Sequence, residues 1–338
     1  MNIALFTFGC YANKDNSDII RAILREHNFT DEQEADIIIL NTCAVKASTK
    51  SKIYNLIEKY KNKRLIITGC FPIPLKNEIR GISKDAALVS SHNLFSIPQI
   101  VKNFFPVELL EQRKEIKLVQ CESNNIIQIS EGCQGDCSFC ITKVAKGKLF
   151  SYPMDKILDY VKNLSCDIIH ITSQDNAAFG LDSGRYLLPD LINSILELKP
   201  NLKIKIGMMN PINLIKIQDE MFKIYENRNI IKFLHIPMQS GSNKILRDMN
   251  RHYTKEEFIG LYKKFRKING INIVTDVIVG YPTETEEDFL ETYNLIKILK
   301  FDVLNISKFT SHKQTEAFRL KQLRSEVIKE RSKRLSIL

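Results

Sequence analysis

Glu131-Gly-Cys-Gln-Gly-Asp-Cys-Ser-Phe-Cys140 is the stretch on which the reading of this chain turns. Cys133, Cys137 and Cys140 share one short loop with the spacing Cys-x3-Cys-x2-Cys. Thiolates so placed can ligate three irons of a [4Fe–4S] cube and leave the fourth iron open to a small molecule. A zinc site normally wants four ligands, often as two Cys-x2-Cys pairs, and no fourth Cys or His lies within the loop. A disulfide framework suits a short secreted chain. This sequence has 338 residues, and its apolar start, Met1–Gly9, lacks the basic region and cleavage site of a secretion signal. That start reads as a buried strand.

Outward from the loop, apolar runs alternate with helical periodicity in both directions. Downstream, strands are expected at Ile126–Ser130, Ile168–Thr172, Ile204–Met208, Ile231–Ile236, Ile273–Val279 and Val303–Phe309. Helical patterns at Asp155–Leu164, Leu187–Leu198, Lys255–Lys267 and Thr285–Leu299 fill gaps between them. Six βα units imply an open partial (β/α)6 barrel over 126–317, with the cysteine loop at the carboxyl end of its first strand, where barrel active sites lie. Upstream, Ile3–Phe8, Ile37–Leu40, Leu65–Thr68 and Ala86–Val89 alternate with helical patterns at Ser17–His27, Ser48–Tyr60 and Ser96–Phe105, Ser96 reading as an N-cap ahead of Pro98. This is an α/β domain with a parallel sheet over 1–105. The charged stretch 106–125 reads as a linker with one strand near Ile116–Gln120, and 318–338 as a basic C-terminal helix over Phe318–Leu335.

Composition narrows the class. With 44% hydrophobic and 26% charged residues the chain is ordinary for a globular protein, and no apolar run approaches a membrane span. Eight Cys without a secretion signal point to metal thiolates in a reducing, cytoplasmic setting. A net charge of +10 suits a polyanionic partner, nucleic acid first, or a solvated Lys-rich surface.

A second cysteine set is dispersed. Cys10, Cys43 and Cys70 each fall just past an apolar strand, in Phe6-Thr-Phe-Gly-Cys10, Ile39-Leu-Asn-Thr-Cys43 and Ile66-Ile-Thr-Gly-Cys70. The carboxyl ends of neighbouring parallel strands share one edge, so the three thiols would meet in a second metal site. The alternative is three buried structural thiols. Cys121 and Cys166 have no such placement and read as structural.

Together the two sets resemble the methylthiotransferase family of radical S-adenosylmethionine (SAM) enzymes, over essentially the whole chain. Thr7-Phe-Gly-Cys-Tyr-Ala-Asn13, Asn41-Thr-Cys-Ala-Val45 and Thr68-Gly-Cys70 resemble its N-terminal signatures. The loop, Thr172-Ser-Gln-Asp-Asn-Ala-Ala-Phe-Gly180, Gly207-Met-Met-Asn-Pro211, His235-Ile-Pro-Met-Gln-Ser-Gly-Ser242 and Asp276-Val-Ile-Val-Gly-Tyr-Pro-Thr-Glu-Thr285 resemble its radical SAM half. The resemblance implies two [4Fe–4S] clusters, one on each cysteine set. SAM would be cleaved to a 5′-deoxyadenosyl radical at the loop, and sulfur delivered at the strand-end set, which requires the two to be brought close. The segments Gln174–Gly180, Gly207–Pro211 and Thr142–Gly147 are similar to the archaeal and eukaryotic branch. That branch implies a tRNA substrate bearing threonylcarbamoyladenosine beside the anticodon, with an electron donor (ferredoxin- or flavodoxin-like) and a sulfur donor as further partners. The competing readings are a methylthiotransferase acting on a ribosomal-protein aspartate, and a non-enzymatic iron–sulfur protein that binds RNA or carries electrons.

Three departures from the family stand out. Lys146 replaces the usual Arg before Gly147, Ser311-His-Lys-Gln-Thr315 replaces an Arg-Pro-Gly-Thr turn, and the sequence stops after the basic helix where the family usually continues into an RNA-binding TRAM barrel, which is expected to be either cut from this sequence or naturally lacking. The last implies weak, salt-sensitive tRNA binding. Gln174, Asp175, Asn210, Gln239 and Ser240 are candidate SAM or substrate contacts, or else ordinary turn residues. Gly280 is a candidate close approach for the SAM adenine. His235 reads as a pocket or a core residue, and Lys143, Lys146 and Lys148 as phosphate contacts or a solvated basic face.

Overall fold

The computed structural model describes residues 1–45, 47–120 and 125–338, and its contacts divide the chain into two compact units. One comprises Met1–Gly132 with Ile141–Tyr152, the other Cys133–Cys140 with Pro153–Leu338. Cys121 lies outside the described residues.

In the first unit, β1 (Asn2–Thr7), β2 (Asn28–Phe29), β3 (Ile37–Thr42), β4 (Arg64–Gly69), β5 (Ala87–Val89) and β6 (Glu108–Leu109) form one sheet in the order 2-1-3-4-5-6. All its pairings are parallel. The central strand β3 is apolar on both sides because both faces are covered. Ile38 and Leu40 pack with Ile53 and Ile57 of α2 (Ala47–Tyr60). Ile37 and Ile39 pack with Ile19 and Ile20 of α1 (Tyr11–Ile23). α3 (Lys76–Ile82) and α4 (Ile97–Lys102) complete the layers.

Several boundaries differ from expectation. α1 begins at Tyr11 rather than Ser17, since the polar side chains of its first turns are buried against hydrogen-bond partners in neighbouring elements. Asn13 Nδ2 donates to the carbonyls of Phe8 (2.6 Å) and Thr42 (2.8 Å). Gln128 Nε2, at the end of β7 (Ile126–Gln128), donates to Asp15 Oδ2 and Asn16 Oδ1. A polar helix face buried against hydrogen-bond partners escapes a reading based on hydrophobic period. Ser96 makes no side-chain cap bond; it ends a 3₁₀ turn, Leu94–Ser96, that runs into α4. The stretch 106–125 supplies β6 at the sheet edge, whereas 116–120 forms no strand.

β8 (Ser130–Glu131) pairs antiparallel with β9 (Phe150–Ser151), bracketing the cysteine loop and α5 (Ile141–Lys146). In the second unit β10 (Ile168–Thr172) runs parallel to β11 (Lys203–Ile206). β12 (Phe233–His235), β13 (Asn272–Val279) and β14 (Val303–Lys308) form a parallel sheet in that order. Helices α6 (Met154–Lys162), α7 (Leu188–Leu198), α8 (Pro211–Lys216), α9 (Gln218–Glu226), α10 (Asn243–Asp248), α11 (Lys255–Phe265) and α12 (Glu286–Leu299) intervene. Thr254 and Thr285 close capping boxes at the starts of α11 and α12. The molecule is therefore α/β with parallel sheets in both units. The basic C-terminal helix, α13, is shorter than expected, Ser325–Leu335, and packs on β13 and β14. Its Arg331 is buried on Glu284 (2.7 Å) and Arg334 pairs with Glu286 (2.6 Å). No helix among the described residues is long and apolar enough to cross a membrane.

Candidate functional site

β1, β3 and β4 are consecutive in the sheet, with Thr7 opposite Asn41 and Thr42 opposite Gly69. Each continues into a cysteine. Cys10 is the exposed N-cap residue of α1, Cys43 is half-buried and Cys70 is buried, its N–H donating to Thr42 O at 2.9 Å. The approach is close enough to require glycine. Gly9 has φ +111°, and a Cβ there would stand 2.8 Å from Cys43 Cβ and 3.2 Å from its Sγ. Gly69 has φ +89°, and a Cβ would meet Thr42 O at 2.4 Å. Neither site admits an L side chain without strain. Burial pushes the Cys70 thiol up to about 12; Lys146 opposes that rise, and Cys10, Cys43 and Glu131 add to it. The three thiols thus share one electrostatic environment.

Behind them lies an ionic cluster that the sequence reading missed. Glu131, 2% exposed, accepts from Lys146 Nζ (2.7 Å) and Lys117 Nζ (2.8 Å), and His92 Nδ1 stands 3.3 Å away. Ser91 supplies its hydroxyl to Lys146 and its carbonyl to Lys117. Burial alone would neutralise Glu131, yet the two lysines hold its carboxyl well below the usual range. Burial disfavours the Lys146 ammonium as well, but Glu131 and the Cys70 thiol raise it. Lys146 is therefore no part of a solvated face; of its neighbours, Lys143 is half-buried and Lys148 exposed.

In the second unit the loop Cys133–Cys140 holds its three half-buried thiols against the segment after α10. Ser138 N donates to Met249 O, and Ser138 Oγ donates to Asp248 O at 2.9 Å. Asn250, at φ +54°, reaches Asp136 O, and His252 meets Asp136 Oδ1 at 2.8 Å. Arg251 donates from one guanidinium nitrogen to Cys137 Sγ (3.2 Å) and from the other to Asn210 Oδ1 (2.8 Å). The Gly135 N–H donates to Cys133 Sγ at 3.3 Å. Burial pushes the Cys133 thiol up to about 12, with Asp175 adding to the rise. Arg251 was invisible to motif reading: one cation among 49 Lys and Arg, more than a hundred residues from the loop.

The remaining candidates divide. Asp175 (2% exposed) accepts from the N–H groups of Asn210 (2.9 Å) and Ala177 and from Asn213 Nδ2 (2.7 Å), so Asp175, Asn210 and Arg251 form one chain of bonds ending at Cys137. Burial raises its carboxyl all the same. Gln239 holds φ +66°, and its buried Oε1 has no partner among the described residues. Gln174 is half-buried on the turn after β10. Ser240 Oγ lies 3.2 Å from Thr292 Oγ1 and accepts from the Ser242 N–H. Gly280 holds φ +80°, and a Cβ there would meet Ile328 Cγ1 of α13 at 2.5 Å. His235 Nε2 lies 2.8 Å from Asp276 Oδ2. Cys166 is half-buried before β10.

Both donor sets are chemically suited to iron–sulfur ligation: three soft thiols each, with a buried cation nearby to balance thiolate charge. Among the described residues no three His, Cys, Asp or Glu side chains close on a single ion.

Comparisons with known proteins agree with the geometry. The Radical SAM superfamily model matches residues 127–296, and the model of uncharacterized protein family UPF0004 matches residues 2–91. The fold is similar to that of a radical S-adenosylmethionine methyltransferase, TsrM, from Kitasatospora setae, solved with cobalamin and a [4Fe-4S] cluster. The TM-score is 0.67 at 13% identity, over 94% of this chain and 76% of that one. Fold and loop thus define a radical SAM enzyme, a class that uses a [4Fe–4S] cluster and SAM. A probable threonylcarbamoyladenosine tRNA methylthiotransferase of Archaeoglobus fulgidus is 37% identical over 100% of this chain and 83% of its own length. The Homo sapiens threonylcarbamoyladenosine tRNA methylthiotransferase is 32% identical over 98% of this chain and 61% of its own length. The chain belongs to the threonylcarbamoyladenosine tRNA methylthiotransferase family of radical SAM enzymes.

Proposed function

We propose that this protein methylthiolates threonylcarbamoyladenosine beside the anticodon of tRNA, giving 2-methylthio-N6-threonylcarbamoyladenosine. The observation that carries the reading is the meeting of Cys10, Cys43 and Cys70 on the shared edge of three adjacent parallel strands. It stands in a chain whose Cys133–Cys140 loop already holds a three-thiol set. When bound, two [4Fe–4S] clusters would supply reductive SAM cleavage at the loop and sulfur delivery at the strand ends.

The residues' own part is to hold and shield. Gly9 and Gly69 let the strand-end thiols approach, and Ser138 and Arg251 fix the loop. Gln174, Asp175, Asn210, Gln239, Ser240 and Gly280 are proposed around the SAM or substrate pocket. Asp175 and Asn210 act as orienting groups, and Gln239 carries an acceptor left for a ligand. A net charge of +10 suits an RNA substrate, and an anticodon loop offers the splayed, single-stranded base that a pocket can grip. An electron donor of ferredoxin or flavodoxin type, a sulfur donor and a cytoplasmic setting complete the proposal.

Mass spectrometry of tRNA nucleosides from cells with and without the gene tests it; the methylthio nucleoside should vanish with the gene. Its persistence, with a methylthiolated aspartate lost from a ribosomal protein instead, would overturn the substrate. Anaerobically reconstituted protein should carry about eight irons per chain. About four, unchanged by Cys43→Ser, would remove the strand-end cluster.

A further inference from the structure

Arg251 is a buried cation in direct contact with a cysteine sulfur. It is 7% exposed, and among the described residues no carboxylate lies within ion-pair distance of it. Its guanidinium meets Cys137 Sγ, Asn210 Oδ1, the Pro237 carbonyl (3.3 Å) and the Tyr253 hydroxyl (3.4 Å). A guanidinium does not give up its proton at any ordinary pH, and an isolated buried charge is costly unless something compensates it. The carbonyls and the hydroxyl are neutral. The cysteine becomes fully negative when it binds metal as thiolate, and the buried Asp175, one bond further along through Asn210, adds its carboxylate to the same environment. The burial of Arg251 therefore makes electrostatic sense in a loop built for metal thiolates.

The fork is also placed for geometry. One arm takes the middle cysteine of the loop. The other takes Asn210, whose N–H is itself held by Asp175, at the end of the strand region preceding α8. Cys137 is thus tied to the strand ends through a planar, bidentate group that Lys cannot imitate.

We propose that Arg251 is a positioning residue for the radical SAM centre, holding Cys137 by one arm and Asn210 by the other and supplying the positive charge that favours the reduced state of whatever iron–sulfur group the loop carries. A cation beside an anionic cluster stabilises the form with the extra electron, so its removal shifts the reduction potential to more negative values. The inference rests on the cluster reading of the loop.

The test uses the full-length, reconstituted protein with Arg251→Gln and Arg251→Lys. Wild-type protein without an iron–sulfur signal that changes on SAM addition would sink the cluster reading before Arg251 is at issue. With that signal present, its midpoint potential is followed by EPR-monitored redox titration, alongside 5′-deoxyadenosine formation under dithionite. Arg251→Gln should shift the potential to more negative values and slow 5′-deoxyadenosine formation at least about tenfold, a change of about 1.4 kcal/mol in barrier. Arg251→Lys keeps the charge but loses the fork. It should restore most of the potential while SAM cleavage stays several-fold slow. An unshifted potential in a folded Arg251→Gln protein would overturn the electrostatic role. If that variant does not fold, a shifted potential in Arg251→Lys does the same. A wild-type rate of cleavage in Arg251→Lys would overturn the positioning role.

Discussion

The strand-end thiols and the loop thiols present the same three donors by opposite means. Cys133, Cys137 and Cys140 are neighbours in the chain, and their loop is held by bonds to the segment around Arg251. Cys10, Cys43 and Cys70 are far apart in sequence and meet because β1, β3 and β4 lie side by side in register. The loop set is held by Ser138, Asn250 and His252 and by one guanidinium, Arg251, in direct contact with a sulfur. The strand-end set rests on two glycines without room for a Cβ and on a buried Lys–Glu–Lys cluster. A site made by local spacing needs clamps; a site made by sheet pairing needs close backbone approach and balanced buried charge.

The largest expected effects separate the two sets. Cys137→Ser should abolish 5′-deoxyadenosine formation, and with it product. Cys43→Ser should leave 5′-deoxyadenosine formation largely intact while ending methylthio product. Chromatography of both products from the same reactions checks this, and full methylthiolation by Cys43→Ser would end the division of labour. Next, Glu131→Gln leaves Lys117 and Lys146 buried with their carboxylate gone and should cost about 3–5 kcal/mol. Denaturant unfolding measures it, and a loss below about 1 kcal/mol would show that the cluster is not electrostatically coupled as drawn.

Gly9→Ala should cost about 1–3 kcal/mol through its left-handed backbone and the contact with Cys43. It should also lower iron retention in proportion to the strand-end cluster alone. The smallest effect is expected on the loop side. A Cβ at Gly135 would stand 3.4 Å from Cys133 Sγ, an ordinary contact, so Gly135→Ala should stay within about 0.5 kcal/mol of wild type in the metal-free protein. A larger loss there than at Gly9 would reverse the comparison.

The parallel α/β architecture was legible because apolar runs such as Ile37–Leu40 and Ile273–Val279 are covered on both faces and so need no alternation. The early start of α1 was not, because Asn13, Asp15 and Asn16 are buried by hydrogen bonds rather than by hydrophobicity. For the same reason Lys146 looked like a surface charge. That reading judged a polar group by its type, whereas the fold places it by its partner.

By itself the sequence determined the loop site and the parallel strands, and the placement of three further cysteines at strand ends. Chain connectivity keeps Cys133, Cys137 and Cys140 within reach of one another whatever the rest does. Only the tertiary structure decided that β1, β3 and β4 are neighbours, that Lys146 and Lys117 close on Glu131, and that Arg251 reaches Cys137 across more than a hundred residues. Such partners leave no periodic trace along the chain. They are selected because a charge or a polar side chain taken out of water must find its complement in space.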